Sequence, residues 1–381
     1  MRLSHRIYHL KQQCEYEVYA MSDNHRRYRA IRDALTQCYP GELSGRMVQH
    51  LTILAAFISG IVASKSSQLA SIATKIADRA KPESRVQRLS RWLDNEHMKE
   101  ELYFLPYAAL VLQHLALETL VLVMDGSGVG RGCCALMIHV VYKGRALPLA
   151  WVVRQCPKGH FPEALHIELV ELVRELIAEG TKVVFLGDGE FDGIDLQETM
   201  NESGWLYACR TAKSAVATWE GVKFNLDLLG TSIKPGMLIE LKEVQFTRNA
   251  YGPVMVLCCW SKGEAEPLYL VSNLSLAEEA IKYYQKRFRI ETFFSDQKSR
   301  GFNIQKSHLE DPQRLSRLLI ASCLAYIWIV YLGTLCKTEG WQSIVHRKSR
   351  CDLSLFQLGF RLLDHFMNEG FSIPVQFYVI I

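Results

Sequence analysis

The chain has 381 residues, of which 49% are hydrophobic and 22% charged, with a net charge of +4. That length carries a large core and two or three substructures, and the composition is that of a globular, soluble chain, which excludes a disordered or fibrous one. So mild a positive balance also excludes bulk charge as a basis for nucleic-acid binding, leaving local clusters to carry any such role.

Residues 1–22 begin MRLSHRIYHLKQQCEYEVYAM, with charges throughout and no apolar h-region. They read as an extension rather than a signal peptide, and Met21 offers an alternative start. From 23 to 115 the pattern is helical: Leu51 to Ala63 is a buried-type helix, Ser67 to Ala77 a second, and Ser84 is placed to cap a third. In that third helix Val86, Leu89 and Leu93 form the packing face, while Arg85, Arg88 and Arg91 lie off it. A helix-turn-helix module that meets DNA through its last helix has this form, and so does a structural helix with a solvated basic face.

At Leu120 the periodicity changes. LVLVMD reads as a buried strand ending at Asp125, GSGVGRG as a glycine-rich turn, and two further strands follow, joined through Lys143-Gly144. Glu163 to Glu179 is helical, KVVFLGD is a short buried strand ending at Asp188, and Ile194 to Asn201 is a helix leading to the strand WLYACR. Three antiparallel strands followed by helix, strand, helix and strand is a ribonuclease H-like α/β order, so 116–210 reads as the first part of such a core. In it the first and fourth strands are neighbours, which puts Asp125 and Asp188 side by side. Asp192 and Glu190 compete for the second position, and Asp188 is preferred because it directly ends the apolar strand. An aspartate before glycine at a strand end is also an ordinary turn residue.

Residues 211–272 alternate short β-type runs with turns and read as a β-rich insertion. The segment 273–335 is read as the second part of the core, with Asp311-Pro312 as cap and first residue of an apolar helix. Its apolar run, Leu318 to Leu332, is shorter than the ~20 residues that span a bilayer, so it reads as a buried helix and no membrane partner is expected. The region 336–381 is uninformative.

The eleven cysteines form no C-x2-C pair and several sit in apolar runs, which argues against zinc and against a disulfide framework and for reduced thiols in the cytosol. GSGVGRG precedes a strand and lacks dinucleotide-fingerprint spacing, and no G-x4-G-K-[ST] occurs. A carboxylate-pair glycosidase would have no use for cations beside its acid.

Those cations occur in YQKRFRIETFFSDQK, Tyr284 to Lys298. If the stretch is helical at ~100° per residue, Tyr284, Arg287, Glu291 and Lys298 share a sector of about 60°. One carboxylate flanked by cations suits metal-dependent phosphodiester chemistry, and Arg287–Glu291 also suits an ordinary i,i+4 ion pair.

The spacing Tyr-x2-Arg-x3-Glu-x6-Lys resembles the signature of the DDE transposases of bacterial insertion sequences, in the insertion sequence family four type. The resemblance covers about Leu51 to Leu332. It implies a ribonuclease H-like core with a helical N-terminal DNA-binding module and a β-rich insertion. It further implies Asp125, Asp188 and Glu291 as ligands of two Mg²⁺ ions, replaceable by Mn²⁺, and Tyr284, Arg287 and Lys298 as DNA-end contacts. The expected partners are double-stranded DNA at transposon ends and target and a second copy of the chain, and the expected setting is a bacterial cytoplasm beside the nucleoid. The expected reaction is end cleavage and strand transfer, with a catalytically silent DNA-binding descendant as the alternative. Where many relatives have arginine and glycine after the second aspartate, this chain has Gly189 and Glu190. Relatives that form a hairpin stack a flipped base on a tryptophan of the insertion, for which Trp219 and Trp260 are the candidates.

Overall fold

The computed structural model describes residues 22–379 apart from 40, 117, 157–160 and 349, so the N-terminal extension and its Met21 start lie outside the described residues but for Ser22. In chain order come helices α1 (Asp23–Gln37), α2 (Gly45–Ser64), α3 (Leu69–Ala73), α4 (Pro82–Asp94), α5 (Glu100–Tyr103) and α6 (Leu105–Leu115), then strands β1 (Leu120–Gly130), β2 (Cys133–Tyr142) and β3 (Arg145–Gln155). Next are α7 (Glu163–Arg174), β4 (Val183–Gly187), α8 (Ile194–Glu202), β5 (Leu206–Arg210), β6 (Val216–Trp219), β7 (Val222–Asn225), α9 (Asp227–Thr231), β8 (Leu238–Phe246), β9 (Tyr251–Cys259) and β10 (Leu268–Ser272). Helices α10 (Ala277–Tyr284), α11 (Arg289–Gln297), α12 (Pro312–Thr338), α13 (Gln342–Val345) and α14 (Leu355–Asn368) complete the chain.

These elements form two compact units. One holds the residues up to His114, Val129–Cys133 and those from Ser295 onward; the other holds Leu115–Gly128 and Cys134–Phe294.

The helical unit is built on α12. Asp311 accepts the Arg314 N–H at 2.8 Å and Pro312 occupies the first turn, as the sequence leads one to expect. Twenty-seven residues make this helix long enough to cross a bilayer, which the apolar run alone did not suggest, but its apolar stretch is wholly covered by the protein's own side chains. α14 opens with a reciprocal capping box between Ser354 and Gln357 and packs along α12. From α1, Arg26 donates to the carbonyls of Met367 (3.1 Å) and Phe371 (2.6 Å), satisfying groups that the end of α14 leaves open. Arg27 bonds Ser59, and burial brings its guanidinium down to about 10.

Removing the Asp311 cap by Asp311→Ala is expected to cost about 1 kcal/mol, and Asp311→Asn much less, as read by urea denaturation.

The third helix differs from expectation at its start. Pro82 occupies its first turn and Lys81, with no side-chain bond, flanks it, so Ser84 lies inside the helix rather than capping it. Pro82 has no N–H to satisfy and its fixed φ suits a first turn, which is why the chain starts earlier. Leu89, Trp92 and Leu93 are its buried face.

The sheet unit is mixed α/β. Its strand order is β3-β2-β1-β4-β5-β10-β9-β8-β6-β7. β1, β2 and β3 follow one another through two-residue turns, which only antiparallel neighbours permit. β4 runs parallel to β1, and β5 parallel to β4. The strands of 211–272 do not stand apart: β10 pairs antiparallel with β5, and β9, β8, β6 and β7 continue outward from it in the same sheet. The buried residues of β10 and β9 continue those of β5, and an open edge at β5 would leave backbone groups unpaired. The glycines of GSGVGRG are likewise not a turn up to Gly130, since β1 runs through them and the chain reverses at Arg131-Gly132, where Gly132 has φ 68°. Glycine permits a turn without requiring one, and ladder bonds hold these in strand.

Candidate active site

Five fully or nearly buried residues, Leu120 to Met124, lead β1 to Asp125, and five more, Val183 to Gly187, lead β4 to Asp188. The two strands pair with a constant offset, Leu120 with Val183 through Val123 with Leu186. That offset is 186 − 123 = 63, the same as 188 − 125; the pairing itself ends at Val123 with Leu186, Asp188 follows directly on β4, and its charge acts on Asp125. Asp125 is not at the end of its strand, as the sequence suggests, but midway along it.

At Asp188 the chain turns sharply. The carboxylate accepts the Glu190 N–H at 3.1 Å and the carbonyl accepts the Phe191 N–H at 3.0 Å. Gly187 is needed there because a β-carbon would run into that of Phe191, which tucks beneath the turn. Asp125 binds the Gly126 N–H at 2.7 Å.

The Asp125 carboxyl is pushed up to about 6, first by burial and next by the negative charge of Asp188, with Glu291 adding to it. The Gly126 N–H and Arg287 oppose the shift without cancelling it. Glu190 accepts the Phe161 N–H at 2.6 Å and lies 3.8 Å from His166 Nε2. Burial raises Asp192.

Tyr284 to Lys298 is not one helix. α10 ends at Tyr284, residues 285–288 form tight turns with bonds such as Arg287 N–H to Tyr284 O (2.9 Å), and α11 begins at Arg289. The three-residue spacing of these bonds overwinds the chain, so the single-face geometry fails. What survives is local. Arg287, with its side chain 9% exposed, reaches Glu291 Oε1 at 3.2 Å with Nη2 and Asp125 Oδ2 at 3.7 Å with Nη1, and its guanidinium lies 4.3 Å from the Phe288 ring centroid. The guanidinium thus bridges an acid on the sheet and an acid on a helix.

Tyr284 is buried, and burial raises its hydroxyl against the influence of Arg287 and Arg210. Arg210, the last residue of β5, is a cation near this site that belongs to no motif and so was not singled out. Lys298 follows the last residue of α11 and belongs to the helical unit, where its carbonyl accepts the Asn303 N–H at 2.9 Å. In α4, Arg85 Nε binds Asp78 Oδ1 at 2.7 Å and Arg88 binds the other oxygen of the same carboxylate, while Arg91 is exposed. The indole N–H of Trp260 donates to Glu264 O at 2.9 Å, and Trp219 ends β6 half-buried.

Among the described residues no three His, Cys, Asp or Glu side chains are grouped to hold a metal ion. Asp125 and Asp188 nevertheless fit a hard divalent cation: they are two oxygen donors, and the Asp125 carboxyl is raised by burial and, after that, by the charge of Asp188. Glu291 is 55% exposed and paired with Arg287.

Residues 119–328 match the family model described as Transposase DDE domain. A solved structure, "Cryo-EM structure of piggyBac transposase synaptic complex with hairpin DNA (SNHP)", is similar at 12% identity over 94% of this chain and 81% of that chain, with a TM-score of 0.46. No curated protein matches.

Proposed function

Because the chain belongs to the Transposase DDE domain family, we propose that it is a transposase that cleaves DNA at the ends of its element and joins them to target DNA, by cut-and-paste. The observation that carries the reading is the carboxylate pair Asp125 and Asp188 on adjacent parallel strands, bridged through Arg287 to Glu291. In this reading the strands β3-β2-β1-β4-β5 are a ribonuclease H-like core, the helices of 23–115 are its DNA-binding module, and the protein acts as a homodimer in the bacterial cytoplasm, at the nucleoid.

Asp125, Asp188 and Glu291 would hold two Mg²⁺ ions, or Mn²⁺. Bound there, such ions supply an activated water or 3′-hydroxyl and a stabilised leaving oxygen. The protein's own part is positional. Arg287 releases Glu291 when a DNA phosphate replaces it as the partner of the guanidinium, and phosphate suits that planar fork as well as carboxylate does. Lys298 and Tyr284 contribute further end contacts, and Arg85, Arg88 and Arg91 contact the terminal sequence.

The test is cleavage of a labelled duplex carrying the element's own end, with Mg²⁺. The parent protein should cut it, and Glu291→Gln should cut at least about a hundredfold more slowly while binding the duplex at least as well, since a ligand carboxylate is lost, no DNA contact is lost, and Arg287 is freed from its pair. Binding without cutting by the parent would favour the second reading, a silent ribonuclease H-like DNA-binding protein. Cutting that survives the substitution would remove Glu291 from the site.

A further inference from the structure

In α4 Asp78 engages both Arg85 and Arg88, while Arg91 is exposed. Elsewhere in the helical unit the balance is reversed. The loop after α2 and the segment 298–308, which begins immediately after α11, hold Lys65, Arg300 and Lys306, all exposed. Among the described residues none of these three pairs with a carboxylate. The carboxylates that follow in sequence are already engaged: Glu310 lies 3.2 Å from Arg131, and Asp311 accepts the N–H that starts α12.

The two loops are also unusually well fixed. Of the eight non-glycine residues with positive φ among the described residues, three sit here: Lys65 (φ 50°), Asn303 (φ 53°) and His308 (φ 61°). Such backbone persists only where the surroundings determine it, and it gathers at sites that hold something. Asn303 Nδ2 donates to Lys65 O at 3.2 Å, and Gln68 Nε2 meets His308 Nε2 at 3.1 Å, so the loops are tied at two points. Lys65 Nζ lies 4.9 Å from the Phe360 ring centroid, which orients the side chain without neutralising it. Lys306 is carried on a turn closed by its own N–H to Asn303 O at 2.8 Å. A cation on a fixed backbone loses less freedom on binding than one on a mobile loop, which favours a regular, repeating anion as its partner.

We propose that these paired loops, 65–68 and 298–308, are a DNA-backbone contact of the helical unit, in which Lys65, Arg300 and Lys306 hold phosphates of duplex DNA. The proposal rests on the DNA-cutting reading above and adds to it a backbone contact separate from those proposed for α4 and for the carboxylate site. The contact is to phosphates and carries no sequence preference.

The experiment measures duplex affinity by fluorescence anisotropy across salt concentrations, using a labelled duplex of arbitrary sequence, for the parent and for the triple variant Lys65→Asn, Arg300→Gln, Lys306→Gln. Asparagine is chosen at 65 because it tolerates the left-handed backbone. Each lost phosphate contact reduces the slope of log affinity against log salt by about 0.9, so a reduction of about 2 to 3 is expected. A parallel arm acetylates the parent with and without duplex and reads Lys65 and Lys306 by mass spectrometry, where protection by duplex is expected; this arm needs no variant to fold. An unchanged salt slope in a folded triple variant, or no protection of either lysine, overturns the proposal and leaves the cleavage reading standing. A parent that binds no duplex at any salt concentration overturns both.

Discussion

Asp125→Asn should abolish cleavage, by on the order of a thousandfold or more, and at the same time make the protein more stable at neutral pH. Both effects have one cause. In the folded protein the carboxyl is raised to about 6 by burial and by Asp188, against an ordinary value of 3.8. Folding therefore favours the protonated form. The stability this group contributes is complete below pH of about 4, where it is protonated folded or unfolded, and is lost as pH rises through about 6. Asparagine mimics the protonated side chain at every pH. The variant should match the parent near pH 4, pull ahead between 4 and 6, and level off above that with an advantage of roughly 1 to 3 kcal/mol, the upper figure being about two pK units at 1.36 kcal/mol each. That corresponds to a few degrees in Tm for a protein of this size. Saturating Mg²⁺ should stabilise the parent more than the variant and narrow the gap, because binding to the folded state alone raises stability by mass action. Melting curves from pH 4 to 8, with and without Mg²⁺, measure all of this. If the variant melts below the parent at pH 8, Asp125 is a favourably paired acid and the repulsive pair is refuted.

Gly333→Ala and Gly359→Ala should each cost about 3 kcal/mol or more, the largest losses of stability expected of any single methyl group here. α12 and α14 pack so closely that a β-carbon at Gly333 would run into the carbonyl of Leu355, and one at Gly359 into the carbonyl of Ile329. Both obstacles are backbone atoms, so no side-chain rotation relieves them and the helices must separate along a fully buried seam. The double variant should lose less than the sum of the singles, since a pair of helices already forced apart has room for the second methyl. Gly45→Ala is the control: its β-carbon would meet nothing within 4 Å at the start of α2, and the change should be neutral or stabilising by up to about 1 kcal/mol. Thermal denaturation separates the two cases. Singles that melt within a degree of the parent would mean that the two helices do not meet backbone to backbone at these glycines.

How far the sequence reaches is clearest at the carboxylates. Two apolar runs, each ending in aspartate, together with the order of the elements between them, were enough to pair β1 with β4 and so to bring Asp125 near Asp188, because register follows from which residues must be buried. The helical character of 23–115 and the cap of α12 at Asp311 were legible for the same local reason, as each depends on residues within a few positions of one another. The misreadings share the opposite cause. Whether GSGVGRG turns or extends and whether Tyr284 to Lys298 is one helix or two are settled by partners far along the chain. Patterning along the chain was enough to make β1 and β4 neighbours, because each carries a short, fully apolar run that has to be buried. That Arg287 lies between Asp125 and Glu291, that Asp78 engages Arg85 and Arg88, and that Lys65, Arg300 and Lys306 share one pair of loops came from the fold alone, because a charge takes its partner from whatever the fold brings within about 4 Å of it.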